Sequence, residues 1–177
     1  MKQLKSIKIK KICMISMFSA LSAIISVVDK ILTSFIFPLI PMIKLGMSNI
    51  IIMIYIYKKN FQETIYLVIL KSIIIGLFYG SIITFIISII ASIGSYIVMY
   101  IIYKISKTDI NIIILSVLGG IVHILIQLLV IKFIYKISYE ILLYGYYLFI
   151  ISTITSIIVG LISKKIIKMQ NKHILDI

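Results

Sequence analysis

The chain has 177 residues, 62% of them hydrophobic, with 18 lysines, no arginine and a formal net charge of +13. A mean hydropathy of +1.24 is more than a soluble core of this size could hide, so an ordinary soluble domain is excluded and lipid is the solvent for much of the surface. In a soluble protein such charge would point to nucleic acid, but here the lysines flank apolar runs without a basic-aromatic patch, so a membrane surface is the expected partner.

The predicted elements follow the charges. Lys2, Lys5, Lys8, Lys10 and Lys11 precede an apolar run over 12–28. No small-x-small cleavage site leads from it into soluble sequence, and further spans follow, so it reads as a retained transmembrane helix rather than a signal peptide. After Asp29 and Lys30, the segment 31–43 holds both prolines, Pro38 and Pro41, and reads as a short outer re-entrant or interfacial loop. Helix two is expected over about 45–57, helix three over 61–78, helix four over 82–103, helix five over 110–131 and helix six over 141–162. Gly76, Gly80 and Ser81 allow a tight turn between helices three and four. The expected architecture is an all-α integral membrane protein of about six transmembrane helices in a compact bundle. It forms a single membrane domain over 1–177, with a basic segment at 1–11, the bundle at 12–163 and a charged tail at 164–177.

Lysine placement orients this arrangement. With the N-terminus inside, thirteen lysines fall on the cytoplasmic side, and only Lys30, Lys44, Lys132 and Lys136 fall outside. The positive-inside rule then puts both termini in the cytoplasm, at the plasma membrane. Small residues suggest which faces meet other helices. Ser16 and Ala20, Ser19 and Ala23, and Ser22 and Ser26 recur four residues apart on helix one, a spacing that permits close helix approach in lipid. Similar stripes run along helix four (Ser81, Thr84, Ser88, Ala91, Ser95) and helix six (Ser152, Ser156, Gly160, Ser163). Ordinary packing within the bundle is the commoner use of each.

One lysine breaks the pattern. Lys71 lies inside helix three, where a charge near the bilayer centre costs about 2.5–3.5 kcal/mol even on the lenient insertion scale and usually faces a cavity or a partner. Helix five carries His123 and Gln127 one turn apart, on a stripe with Ser116 and the Gly119-Gly120 pair, and helix two carries Asn49 with Lys44 just before it. Depths counted along the helices put Lys71 near the middle, His123 and Gln127 somewhat outward, and Asn49 and Lys44 further outward. If these faces meet, they form an outward-opening pocket for a small anionic or polar molecule. Each residue alone has a blander reading: a snorkelling lysine, or a histidine satisfied between helices.

Enzyme signatures are scarce. The acids Asp29, Glu63, Asp109, Glu140 and Asp176 are scattered, and neither a phosphate-binding glycine loop nor a histidine pair at metal-ligand spacing occurs. Cys13 stands alone, so neither an internal disulfide nor a cysteine metal cluster is expected. No catalytic residue, metal or cofactor is assigned.

An ordered set of segments does resemble a family. Asp29-Lys30, the proline-containing loop, KLGMSN at 44–49, the cation in Leu70-Lys71-Ser72, GLFYGS at 76–81, and Gly119-Gly120 through His123 to Gln127 are similar to the Gx transporter family. That family has also been labelled heptaprenyl diphosphate synthase component I. The resemblance covers about 12–130 and implies a six-helix organisation like the substrate-binding components of energy-coupling factor transporters. There, a small-residue face on helix one docks on a membrane coupling subunit that works with ATPases. It implies such a role for Ser16, Ala20 and Ala23, with Gly76 and Gly80 in helix packing. The chain departs from the family pattern in reading KLGMSN for KLGLAN, Lys71 for arginine, and Ile124 where asparagine follows the histidine. Lysine keeps the charge but loses the planar fork of arginine.

The leading expectation is a transporter component that captures a small molecule from outside and passes it inward with a partner. The alternative, implied by the older label, is a non-catalytic component accompanying a soluble prenyl diphosphate synthase in making menaquinone side chains. The acid-rich magnesium-diphosphate motifs of prenyl transfer are missing, so this chain could not elongate a prenyl chain alone. A third expectation is a structural assembly subunit without a ligand.

Overall fold

The structure is a computed structural model that describes residues 2–36, 46–58, 61–79, 82–106, 110–135 and 140–175, with side chains over 9–35, 46–57, 61–78, 82–106, 110–134 and 145–169. Six helices follow in chain order: α1 (Lys2–Ile36), α2 (Asn49–Lys58), α3 (Phe61–Tyr79), α4 (Ile82–Ile105), α5 (Ile112–Tyr135) and α6 (Glu140–Leu175). No strand occurs among the described residues. All helices but α2 contain an apolar stretch of 18–27 residues, long enough to cross a bilayer. The chain is therefore an all-α, multi-pass membrane protein.

Three helices differ from those expected. The first helix does not stop at Val28: α1 continues through Asp29 and Lys30 to Ile36, with its apolar span over Ile9–Phe35. The charged pair interrupts the hydropathy, yet Asp29 follows Ser19, Ser22 and Ser26 at helical spacing, and all four are buried. The bundle takes the charge in, so the helix has no reason to end there. The loop expected over 31–43 is thus helical as far as Ile36, and Pro38 and Pro41 lie outside the described residues. At the other end, α6 carries Lys164, Lys165 and Lys168 as a continuous extension of the membrane helix.

Helix α2 is the third departure. At ten residues it rises about 15 Å, roughly half the hydrocarbon thickness, so it cannot span alone. It is apolar all round, and Ile51, Ile52, Met53, Ile54, Tyr55 and Ile56 are all buried, as expected of a helix with no polar face. It touches each of the other five helices. The outer helices show lipid-facing apolar residues instead: Met17, Ile24 and Phe35 on α1, and Leu129 and Phe133 on α5, are exposed.

Contacts between helix ends give the up-and-down order. Lys11 pairs with Glu63 at 2.9 Å, joining the starts of α1 and α3. The Tyr57 hydroxyl donates to the Ile110 carbonyl at 2.9 Å, joining the end of α2 to the approach of α5, and Gly160 late in α6 lies against Ile113 early in α5. The start of α1 and the end of α6, with their lysines, are therefore at one end of the bundle. An aromatic cluster sits there too, with Phe61 stacked on Tyr96 at 5.4 Å and Tyr57 beside Tyr103 at 4.7 Å, amphipathic rings of the kind that favour a membrane boundary.

Small residues seal the remaining interfaces. The stripe on α4 is buried at Thr84, Ser88, Ala91 and Ser95, and the Ser95 hydroxyl donates to the Gly119 carbonyl at 2.7 Å. Between α5 and α6, Ser116 donates to the Ser156 carbonyl at 2.7 Å and Ser152 to the Gly120 carbonyl at 3.3 Å. A side-chain carbon on Gly160 would stand 2.8 Å from Ile113 Cα, so only glycine permits this approach. Gly76 likewise packs on the Phe85 ring of α4; Gly80 and Ser81 lie outside the described residues. On α1 the stripe divides: Ser19, Ser22, Ala23 and Ser26 are buried, whereas Ser16 and Ala20 are exposed.

Candidate functional site

The half-length of α2 places a turn of irregular backbone deep in the bundle. Gly46 has φ +90°, a left-handed conformation that glycine adopts without a Cβ penalty. The turn closes with Asn49 N–H donating to the Gly46 carbonyl at 2.9 Å and Ile50 N–H to the Met47 carbonyl at 3.2 Å. Backbone donors at this depth need partners inside the protein. The carboxylate of Asp29 supplies one: its Oδ2 accepts from Gly46 N–H at 2.8 Å and from Met47 N–H at 3.3 Å. A carboxylate ahead of a helix start also suits the partial positive charge of its amides.

Lys71 reaches the same turn from α3. It is 1% exposed, and its Nζ donates to Ser48 Oγ at 2.6 Å. The Ser48 carbonyl in turn accepts from Ser22 on α1 at 3.4 Å. Lysine is the donor and serine the acceptor, an arrangement that holds a charge in place rather than activating a nucleophile. Ten residues into a nineteen-residue helix, Lys71 fixes the turn near mid-depth.

Helix α5 closes the other side. A side-chain carbon on Gly46 would lie 3.2 Å from Asn49 Nδ2 and 3.6 Å from His123 Cδ2, so Gly46, Asn49 and His123 adjoin. Asn49 and His123 are each 4% exposed, and Asn49 Oδ1 has no hydrogen-bond partner among the described residues. Gln127, 1% exposed, follows one turn along α5.

Asn49, Lys71 and His123 therefore meet around one turn, with Gln127 buried on the stripe of His123. Asn49 is not further outward than the other two: α2 starts at mid-depth, so its first residue sits beside His123. Lys44 lies outside the described residues. Sequence reasoning put Asp29 just before the outer loop and took Ser48 only as part of KLGMSN, assigning neither to the site, yet both lie at the turn. Asp29 was readable from its helical spacing behind Ser19, Ser22 and Ser26; Ser48 was visible only as the serine of that motif. The neighbouring Ile124 faces elsewhere, into an apolar cluster with Ile87, Ile131 and Leu148.

Electrostatically the described part of the centre brings the Asp29 carboxylate and the Lys71 ammonium to a single buried turn. Ser22, Ser48 and Asn49 add neutral donors and acceptors, and no group of three potential metal ligands occurs among the described residues. The chemistry such groups offer is hydrogen bonding and charge pairing rather than nucleophilic attack. Every side chain named is buried, so entry requires helices to part. A separate groove of about 310 Å³ between α1 and α3 is lined by apolar side chains, including Ala20, Ala23, Ile24, Ile74, Ile75 and Phe78. It begins one turn beyond Lys71 and is not continuous in chemistry with the polar centre.

Comparison with known proteins adds one assignment. No curated protein and no solved structure matches the chain. The family model of heptaprenyl diphosphate synthase component I matches residues 18–166, which take in the α2 turn and its partners on α1, α3 and α5. The chain belongs to the heptaprenyl diphosphate synthase component I family.

Proposed function

We propose that the chain is the substrate-binding component of a membrane transporter of the energy-coupling factor type. It takes a small polar molecule from outside into the bundle and releases it inward when a partner moves the helices. The observation that supports this best is the broken backbone at mid-depth, where Lys71, Asn49 and His123 converge on the start of α2. Half-helix ends buried in a membrane bundle, with a charge beside them, suit recognition of a ligand's polar groups. The excess of lysine on one side supports a plasma-membrane orientation with both termini in the cytoplasm. The exposed Ser16 and Ala20 on α1 suit close approach of a coupling membrane subunit. Lys44 belongs to the same proposal as an outer contact at the pocket mouth.

Binding by the reconstituted full chain, and by Lys71→Ala and Lys71→Arg, tests this reading against vitamins, flavins, quinone precursors and prenyl diphosphates. Saturable binding is expected for the unmodified chain, to be retained in part by Lys71→Arg and lost in Lys71→Ala. Absence of any saturable ligand for all three rejects it. The family assignment favours a second reading, a non-catalytic membrane component accompanying a prenyl diphosphate synthase. Co-purification separates the two: a coupling ATPase with its membrane subunit supports transport, and a soluble prenyl synthase supports the accessory role.

A further inference from the structure

The apolar groove between α1 and α3 is lined by neither the α2 turn nor α5, and its shape and place in the membrane say what fills it. We propose that it is a binding site for one acyl chain of a membrane phospholipid, held lengthwise along the two helices in the half of the bilayer away from the lysine-rich end. This goes beyond the ligand-binding reading above and does not depend on it.

The groove follows from small residues on α1. Where the two helices touch, the buried Ser19 hydroxyl donates to the Leu67 carbonyl of α3 at 3.4 Å. One turn further along α1, Ala23 offers only a methyl group, and with Ile75 it forms a buried floor. Ala20, Ile24, Val28 and Phe78 stand exposed around that floor as a rim. The groove therefore opens sideways. Both helices carry apolar stretches long enough to cross a bilayer, Ile9–Phe35 and Phe61–Phe78, so the medium beyond the rim is hydrocarbon rather than water.

Dimensions then choose among occupants. From Ala20, near the middle of its span, to Val28, α1 rises about 12 Å, and half a hydrocarbon core is about 15 Å. The groove thus runs most of the depth of one leaflet. A helix of a partner or of a second copy is about 10–12 Å across and over that length would displace about 900 Å³, whereas the groove measures about 310 Å³. A single hydrocarbon chain matches it in length and in width. The lining offers no polar side chain to a charged or hydrogen-bonding ligand, but a methylene chain lying in it gains dispersion contacts with floor and rim together.

The chain contains no tryptophan, so a single introduced one reports on its own surroundings. Phe78→Trp places the reporter on the groove rim, and Phe133→Trp places it on the lipid-facing side of α5, where Phe133 is exposed. Each variant of the full chain, purified in detergent, is titrated with phosphatidylcholine brominated on its acyl chains, which quenches tryptophan on contact. Quenching in Phe78→Trp should saturate, and should reach half its extent at a lipid fraction roughly threefold below that needed in Phe133→Trp, the enrichment that a few added carbon contacts give. Adding Ala23→Leu, which raises the floor, should bring the two reporters together. If Ala23→Leu fails to fold, Ala20→Phe closes the groove from its exposed rim, with the same expectation. Equal quenching of both reporters before the groove is filled overturns the proposal, and so does a folded, filled variant that keeps the difference. Weaker quenching in Phe78→Trp than in Phe133→Trp overturns it as well, since a second copy of the chain would then cover the groove. Unbrominated phosphatidylcholine should relieve the quenching; relief by a prenyl alcohol at lower concentration would assign the groove to an isoprenoid chain and overturn the phospholipid.

Discussion

The α2 turn and the seam between α5 and α6 both bury polar groups in an apolar bundle, and they satisfy them differently. Along the seam, Ser116 and Ser152 donate to carbonyls of the facing helix, and Gly160 lets the backbones touch. All of it is neutral. At the turn, a carboxylate holds two amides, an ammonium holds a hydroxyl, and an amide oxygen is left over. The first arrangement joins helices through neutral groups; the second brings a carboxylate and an ammonium to one turn. An unpartnered polar atom does not distinguish them, since the Ser163 hydroxyl on α6 is left over just as Asn49 Oδ1 is. What separates the two regions is charge.

Substitutions can break this contrast or sharpen it. The largest effect is expected from Asp29→Ala, which removes a buried carboxylate and strands the two amides it accepts from. Removing one partner of a buried charge arrangement costs about 3–5 kcal/mol, to be read from reversible unfolding in mixed micelles. A loss below that of the seam substitutions would show the turn to be no more than packing. Gly160→Ala should come next, at about 1–3 kcal/mol, because the new methyl meets the Ile113 backbone rather than a flexible side chain. Unchanged stability would mean that the helices separate at no cost. Ser152→Ala removes one neutral interhelical hydrogen bond, for which about 0.6 kcal/mol is typical in a membrane; a much larger loss would put the seam in the same class as the turn. Lys11→Ala is expected to cost less than about 1 kcal/mol, since the lysine of that pair is 52% exposed. It serves as the baseline for a charge that water already screens.

Much of the bundle was readable from where the lysines and apolar runs fall. The expected helix three over 61–78 and helix four over 82–103 lie within a residue or two of α3 and α4, because Lys58-Lys59 and Lys104 mark the charged ends of the pair and Gly80-Ser81 mark the turn between them. The same rule misplaced the end of α1, where Asp29 and Lys30 interrupt the hydropathy but Asp29 is buried against the α2 turn. A charge with an internal partner looks, along the sequence, like a charge in water. For the candidate site, residue type was enough to single out Lys71, Asn49 and His123, since polar groups in apolar helices need a reason. Their relative depth was not readable. It depends on the start of α2, which is set by a left-handed glycine and by a carboxylate seventeen residues earlier, and no periodicity reports a contact of that range.

The short central helix also bears on how the chain assembles. α2 is synthesised before α3, α5 and α6, so when it first meets the membrane its turn has Asp29 available but neither Lys71 nor His123. A ten-residue helix has too little length to hold itself across a bilayer. Its final position must therefore be reached after the later helices arrive, with the Lys71–Ser48 contact forming as α3 comes in beside α1. A nascent chain halted before α3 should leave α2 open to labelling by a water-soluble reagent, and one extended through α6 should protect it.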